Sequence, residues 1–280
     1  MRTPYRRRAR LTPQTGHRYD AAMAPRGFEI ICEIEPPTKP DLTHARHQIG
    51  VLSKVASGFL IPDNHLGRAT VSSVAVAREV QLMGGRSVAC VNARDRNLLG
   101  LRRDVLTAAA YGVSEFLLVY GDRSQAGASG DRLTIASMLD EIRMFSDGPA
   151  FDGLPEFRLG VTSRLGQIPK HKQTADFLFA QVTFSLDALL RWRESVDLSG
   201  PVYAGVMVLA SASMASKLAG EIREIEIPDD WVRAVEADRN AGVELACAYV
   251  ESIRDSGAFD GVHLVPVSRY REVAARLERG

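Results

Sequence analysis

Eight short apolar segments, separated by longer amphipathic ones, constrain the fold of this chain more than any other feature. The apolar segments predict strands over residues 28–35, 58–62, 87–92, 115–120, 157–162, 176–182, 202–208 and 261–266. The amphipathic segments predict helices over residues 42–56, 69–83, 98–111, 132–145, 186–194, 214–225, 242–256 and 269–277. Strand segments such as FLLVY and LFAQV are almost entirely apolar, which is typical of parallel strands buried on both faces.

Strands that alternate with helices favour a parallel sheet with crossover helices. Eight such units over residues 27–280 predict an α/β fold, a single-domain (β/α)8 TIM barrel, which typically needs about 250 residues. An open doubly wound sheet is the alternative, but it requires a Gly-x-Gly-x-x-Gly turn after an early strand, and none follows the first strand. The glycine cluster at 127–130 lacks the Lys-Ser/Thr pair of a phosphate-binding loop, so we interpret it as a mobile loop.

The composition excludes several classes of protein. The 280 residues include 35 Lys plus Arg and 34 Asp plus Glu, a formal net charge of +1, whereas nucleic-acid-binding proteins usually carry a basic excess. We find no run of about 18 apolar residues that would span a membrane. Cys32, Cys90 and Cys247 form no Cys-x-x-Cys pair, which argues against a disulfide framework or a cysteine zinc site. A reducing, cytoplasmic location is the expectation.

The first 26 residues differ from the rest of the chain. They hold seven arginines and three prolines, with no apolar run of the kind that a secretory signal contains. A basic arm that binds nucleic acid or an acidic surface is one interpretation. We favour a disordered N-terminal arm, because this composition cannot bury apolar surface.

In a TIM barrel the active site lies at the carboxyl ends of the strands, so polar residues there are the candidates. The predicted strand ends carry acids and amides, with no histidine cluster: Glu33, Glu35, Asp63, Asn64, Asn92, Asp122 and Gln181. This set lacks the spacing of known metal-ligand motifs, so no metal site is predicted.

Two of these carboxylates are notable on physical grounds. Glu33 and Glu35 share a strand face opposite Cys32, and an acid in the barrel lumen would be desolvated, which favours the protonated form that a general acid needs. Asp122 follows Gly121, which permits a sharp turn or close approach to a ligand. The alternatives stay open: Glu33 could pair with a basic residue such as Lys170, and Asp122 could cap a turn.

Several motifs together resemble the methylenetetrahydrofolate reductase family. They run in order from about residue 28 to the C-terminus: FEIICEIEPP, PDNHLG at 62–67, NARDRN at 92–97, GVSEFLLVYGD at 112–122, FLFAQVTFS, AGVMVL at 204–209 and DGVHLVPVSR at 260–269. The family fold is a (β/α)8 barrel, which agrees with the strand count.

The resemblance implies a reaction in folate one-carbon metabolism. Family members convert 5,10-methylenetetrahydrofolate to 5-methyltetrahydrofolate by protonating the folate, which opens its five-membered ring to a 5-iminium cation, and by hydride reduction of that cation. Carried over, Glu33 is the general acid, and Asp122 binds the pterin and favours the cation. Gln181 and Asn64 complete the substrate site.

The cofactor positions depart from the family pattern. The family binds FAD, but Pro62 stands where it has a threonine, Cys90 where it has a histidine, and Tyr120 where it has an arginine. The connection between strands five and six is also much shorter. FAD is therefore doubtful, and NADH or NADPH is expected to donate hydride directly, with Asn92, Lys170 and Tyr120 on the cofactor side.

Two other functions stay open at this stage. The chain could be a folate-handling barrel partner in a corrinoid or one-carbon methyltransferase system. It could also be a non-catalytic folate-binding protein that kept the barrel. The sequence gives no oligomeric state and no basis for choosing between NADH and NADPH.

Overall fold

A closed barrel of eight parallel strands forms the centre of the protein in a computed structural model, which describes residues 27–122, 133–221 and 225–279. Each strand pairs with the next along the chain, and the last pairs with the first. The strands are β1 (Glu29–Glu33), β2 (Gly58–Ile61), β3 (Ser87–Asn92), β4 (Glu115–Val119), β5 (Arg158–Ser163), β6 (Phe177–Val182), β7 (Val202–Met207) and β8 (Gly261–Val265). The predicted TIM barrel is confirmed, and each strand lies within the segment predicted for it or extends one residue beyond it.

The helices cover the outside of the barrel. In the described residues they are α1 (Thr43–Leu52), α2 (Ser73–Leu82), α3 (Leu98–Tyr111), α4 (Ile135–Ser146), α5 (Leu186–Glu194), α6 (Ala212–Glu221), α7 (Asp229–Ala237), α8 (Ala241–Asp255) and α9 (Tyr270–Leu277). Helix α7 was not predicted. The basic arm, the glycine cluster at 127–130 and the predicted helix start at residue 132 lie outside the described residues.

Strand side chains alternate between two cores. On β1, Ile30 and Cys32 belong to the outer core against the helices, whereas Ile31 belongs to a separate cluster inside the barrel. That inner cluster comprises Ile31, Leu60, Val88, Cys90, Leu117, Phe177, Phe179 and Tyr203. The lumen is therefore a packed core, as in other TIM barrels, and any active site must lie above it.

An ion-pair network forms the floor of the lumen at the amino ends of the strands. The Arg86 guanidinium donates to Glu29 at 3.0 Å and to both oxygens of Glu115 at 2.8 Å, and Arg158 donates to Glu115 at 3.1 Å. The Tyr203 hydroxyl donates to Glu29. Burial raises the pKa of Tyr203 to about 12, against the lowering effect of Arg86, so this hydroxyl keeps its proton.

No helix in the described part of the chain is long and apolar enough to cross a membrane. The three cysteines are all buried and unpaired. Burial raises the pKa of Cys32 to about 12, with a smaller contribution from Cys247, so this thiol is inert packing.

Candidate active site at the carboxyl ends of the strands

Glu33 is the last residue of β1 and points to the lumen side, as the alternation predicted. Its side chain is 18% exposed, and its Oε2 lies 3.2 Å from Nε2 of His263 on β8. Glu35 lies beyond the end of the strand and is exposed, so the prediction that both glutamates occupy one strand face was wrong. Glu33 is thus a mostly buried acid at the mouth of the barrel.

A histidine and a buried cysteine lie close to Glu33 on the lumen side. The His263 ring stacks on Phe179 of β6, with centroids 5.3 Å apart and an interplanar angle of 23°. Cys90, which replaces the family histidine, is buried in the inner cluster. Burial raises the pKa of Cys90 well above its ordinary value, and the charges of Glu33 and Asp63 raise it further. Cys90 therefore stays a neutral thiol.

A second polar cluster connects the ends of β2 and β3. The Asp63 carboxylate accepts hydrogen bonds from the backbone N–H of Asn92 at 3.0 Å and from its Nδ2 at 2.8 Å, and it also pairs with Arg96. Arg96 Nε donates to Asp104 at 2.8 Å. Burial disfavours the Arg96 charge, but Asp63 and Asp104 overcome it and raise the pKa. Asn92, proposed for the cofactor side, is fully buried in this cluster and supports the loops around the mouth.

The loop after β2 has an unusual backbone. Asn64, Leu66 and Gly67 all have φ between 49° and 67°, which is rare for a leucine. The Asp122 carboxylate accepts a 2.8 Å hydrogen bond from the Leu66 N–H, and Asn64 Nδ2 donates to Asp95 at 3.0 Å. Asp122 is exposed at the end of β4, so it connects two loops at the mouth rather than capping its own strand.

Tyr120 lies beside Asp122 and is 60% exposed. The Arg94 guanidinium carbon lies 4.7 Å from the centroid of the Tyr120 ring, and Arg94 Nε donates to the Gly121 carbonyl at 3.2 Å. Gly121 has φ of 91°, and a Cβ there would lie 3.0 Å from the Cβ of Asn92. Glycine is required at this position because both the backbone angle and the close approach exclude larger residues.

Gln181 lies where β6 departs from regular pairing with β7. Phe179 pairs with Tyr203 and Val182 pairs with Gly205, so two residues of β6 oppose one residue of β7. This is the pattern of a β-bulge, which bends a strand and redirects a side chain. The half-buried Gln181 is one of the two residues that together oppose Ala204, so the bulge sets its direction at the mouth.

Gly205→Ala should destabilise the protein by about 1–3 kcal/mol, the usual cost of overpacking a core. A Cβ at Gly205 would lie 2.6 Å from the Ala180 carbonyl oxygen and 2.7 Å from the Val182 nitrogen, and both are backbone atoms of the bulge. Urea unfolding measures the change. Gly166→Ala is the matched control, because a Cβ there meets nothing within 4 Å. Equal stabilities of the two variants would contradict the close packing of the bulge.

The two lysines between β5 and β6 occupy different environments. Lys170 is exposed on a short 3-10 turn. Glu33 lies within ion-pair distance of His263 rather than of Lys170. Lys172 is half-buried, and its Nζ donates to the Thr162 carbonyl at 2.7 Å. Burial lowers the pKa of Lys172, and the nearby charge of Arg164 lowers it further.

Sequence reasoning missed His263 and Lys172. His263 was visible as the one polar residue in the apolar strand GVHLV, with the same parity as the other lumen residues of β8. Lys172 differs from Lys170 only in burial, which the sequence does not encode locally. Among the described residues, no group of three or more His, Cys, Asp or Glu side chains could hold a metal ion.

Comparisons with known proteins place this geometry in a family. The family model described as methylenetetrahydrofolate reductase matches residues 36–279. No curated protein matches the chain. An uncharacterized protein from Clostridium thermocellum that binds two copies of 5-methyl-5,6,7,8-tetrahydrofolic acid is similar in structure, with a TM-score of 0.56, 13% identity and coverage of 91% of this chain and 96% of that one.

Two further solved structures share the fold. EDTA monooxygenase from Chelativorans sp. BNC1 has a TM-score of 0.53 and 8% identity, covering 90% of this chain and 94% of that one. Tryptophan synthase from M. tuberculosis has a TM-score of 0.52 and 13% identity, covering 91% and 92%. At these identities the likeness concerns the barrel alone.

Proposed function

The chain belongs to the methylenetetrahydrofolate reductase family, and from this premise we propose that it reduces 5,10-methylenetetrahydrofolate to 5-methyltetrahydrofolate, with hydride coming directly from NADH or NADPH. The observation that carries the proposal is Glu33, a mostly buried acid at the mouth of the lumen. A packed barrel core gains nothing from a carboxylate there, because burying an acid costs free energy. Proton donation to a bound substrate gives this carboxylate a use.

Glu33 is the proton donor in this proposal. It protonates the folate amine nitrogen N10, the bond from N10 to the bridging carbon breaks, and a 5-iminium cation remains. A reduced nicotinamide supplies the hydride that converts this cation to the methyl group. The apolar inner cluster under Glu33 excludes water from one side of the site. The exclusion of water strengthens the electrostatic interaction between Glu33 and a charged intermediate.

Asp122 is proposed to stabilise the cation. Its carboxylate stands exposed at the end of β4, on the same mouth as Glu33, and already accepts one backbone hydrogen bond. An anionic oxygen near a developing positive charge lowers the free energy of the transition state. Gln181, directed by the bulge, and Asn64 are proposed to hold the pterin through amide hydrogen bonds.

Asp122→Asn should reduce kcat about 10–100-fold, at or below the lower limit of about 10²–10³ for losing one electrostatic contact, because Asp122 is exposed to solvent. The dissociation constant for NADH or NADPH should change less than threefold, because the lost charge faces the folate. Stopped-flow turnover and fluorescence titration of the dinucleotide separate the two effects. If the affinity for the dinucleotide falls strongly while folate binding is unchanged, Asp122 contacts the dinucleotide rather than the folate.

Two arginines after β3 are already engaged, and this is the support for a proposal that FAD, which the family uses, is not the cofactor here. The FAD pyrophosphate needs cations or directed donors. Arg96 is buried between Asp63 and Asp104, Arg94 is engaged with Tyr120 and the Gly121 carbonyl, and no arginine stands at position 120. We therefore propose that no flavin takes part, and that NADH or NADPH binds beside the folate near Tyr120, with the exposed Lys170 as the cation for its pyrophosphate. The buried Asn92 would support the loops around this site.

The purified protein should be colourless, and added FAD should not raise its activity. Direct hydride transfer requires both substrates at once, so double-reciprocal plots should intersect. A flavin that shuttles hydride would instead give parallel lines, because each substrate reacts with the enzyme in turn. Absorbance spectra and initial rates at varied concentrations of both substrates test this. A yellow protein with parallel lines would overturn the flavin-free proposal and leave Glu33 as proton donor.

A second candidate is a folate-binding protein without reductase activity, acting alone or as the folate-handling partner of a corrinoid methyltransferase. The observation in its favour is the Clostridium thermocellum structure, which binds 5-methyltetrahydrofolate on a similar barrel. The two functions are distinguished by one experiment. A protein that binds 5-methyltetrahydrofolate but never oxidises NADH or NADPH in the presence of 5,10-methylenetetrahydrofolate is a binding protein.

The three unpaired, buried cysteines suit a reducing compartment, so we propose a cytoplasmic location. The proposed partners are the folate and a nicotinamide dinucleotide.

A further inference from the structure

His263 is held in a fixed position under Glu33. On β8 it pairs in register with Ile31 of β1 and with Gly205 of β7, and Phe179 stacks against its ring. These contacts fix the plane of the imidazole. In that plane Nε2 lies 3.2 Å from Glu33 Oε2, within ion-pair distance, and the His263 side chain is 13% exposed.

The His263 Nε2 atom itself is shielded from solvent and makes no well-directed hydrogen bond within the described residues. A buried polar atom without a hydrogen bond lowers the free energy of unfolding by about 1–3 kcal/mol. A leucine or phenylalanine could fill the same lumen position without that cost. Glu33 Oε2, at 3.2 Å, is a polar atom within reach of this nitrogen.

Resting on the proposed function, we propose that His263 supplies the proton that Glu33 donates. After Glu33 has protonated N10, its carboxylate takes the proton from Nε2 of the imidazolium. The N–H bond breaks, an O–H bond forms, and the imidazole becomes neutral. The Glu33–His263 pair then takes a proton from water at the mouth, where the two side chains are 18% and 13% exposed. Each cycle consumes one proton from solvent, which balances the single hydride added to the folate.

Other groups near Glu33 serve this role poorly. The Cys90 thiol on β3 keeps its proton, since burial and then Glu33 raise its pKa. Asp63 is held by Asn92 and Arg96, and Arg96 stays charged between two carboxylates. The residues that pair with His263 in the sheet or stack on its ring carry no titratable group: Ile31, Gly205 and Phe179. His263 acts through Glu33, so it is a positioning residue rather than a catalytic one. Its proposed function is to supply the proton that Glu33 donates.

Kinetics give the first test. His263→Gln keeps an amide donor but cannot exchange a proton, so kcat should fall about 10–100-fold, within or just below the range for acid catalysis, while the folate KM changes less than threefold. In His263→Ala, added imidazole should restore part of kcat and leave KM unchanged. His171→Ala is the matched control, because His171 is exposed on the β5–β6 connection. An unchanged kcat in His263→Gln, or no rescue of His263→Ala by imidazole, overturns the inference.

Nuclear magnetic resonance gives a test that needs no enzymatic activity. The Nε2 nitrogen signal of His263 should move in Glu33→Gln and stay in place in Glu35→Gln, since Glu35 is exposed. An Nε2 signal that ignores Glu33→Gln overturns the inference, even if the enzyme is active. If the signal responds to Glu33→Gln but the protein shows no folate-dependent oxidation of NADH or NADPH, the interaction between His263 and Glu33 is confirmed. The reductase proposal is then overturned.

Discussion

Glu33→Gln is expected to lower kcat by about 10²–10⁴, the usual contribution of a general acid, with the fold intact. The amide has nearly the same shape as the acid but cannot give a proton to N10. Glu35→Gln is the matched control: it makes the same change two residues further along, at an exposed position outside β1, and should keep wild-type turnover. Turnover numbers at saturating folate and dinucleotide measure the difference.

The outcome has a clear threshold. If Glu33→Gln keeps more than about a tenth of wild-type kcat, well outside the range for loss of a general acid, Glu33 is not the proton donor. Circular dichroism spectra of the two variants show whether a loss of turnover comes from unfolding instead.

Arg86→Ala is expected to lower the free energy of unfolding by about 3–5 kcal/mol, the usual cost of breaking a buried ion pair. Arg86 binds both Glu29 and Glu115 on the lumen floor, and its side chain is 13% exposed. Removing it leaves two carboxylates at the floor with fewer partners and little water. Urea unfolding followed by circular dichroism gives the measurement.

Arg158→Ala is the matched control for that prediction. Arg158 pairs with Glu115 at 3.1 Å, but its side chain is 33% exposed, so solvent can compensate for more of its loss. We expect a smaller destabilisation than for Arg86→Ala. Equal and small effects of the two variants would show that the floor network does not contribute to stability.

The fold could be predicted from local pattern because each unit of the barrel is encoded by neighbouring residues. The alternation of apolar and amphipathic segments determines the strand count, and no pairing needs to be guessed when each strand joins the next. Helix α7 was missed although Asp229 and Asp230 stand in its first turn, a typical start signal. Its buried Val235 packs in a separate small cluster with Phe184, and Trp231 bridges that cluster and the main core.

The positions of site residues could be predicted from the sequence only where they depend on which face of a single strand a side chain occupies. Glu33 on the lumen side follows from alternation on β1, but its partner His263 is 230 positions away and becomes a neighbour only when β8 closes on β1. The bulge at Gln181 depends equally on pairing between β6 and β7. Pairing of Glu33 with Lys170, an alternative left open by the sequence, also depends on long-range geometry, and Lys170 is exposed on the β5–β6 connection. The hydrogen bond from Leu66 to Asp122 likewise joins loops that are distant in sequence.

Transfer of deuterium from C4-deuterated NADH or NADPH to the product tests the central claim most directly. With no flavin added, the account predicts that one C4 face of the dinucleotide delivers its deuterium to the methyl group of 5-methyltetrahydrofolate, one label for each dinucleotide oxidised, as mass spectrometry would show. A reduced flavin would pass the label through an exchangeable N–H and lose much of it to water. Loss of the label, or no folate-dependent oxidation of either dinucleotide, would contradict the account.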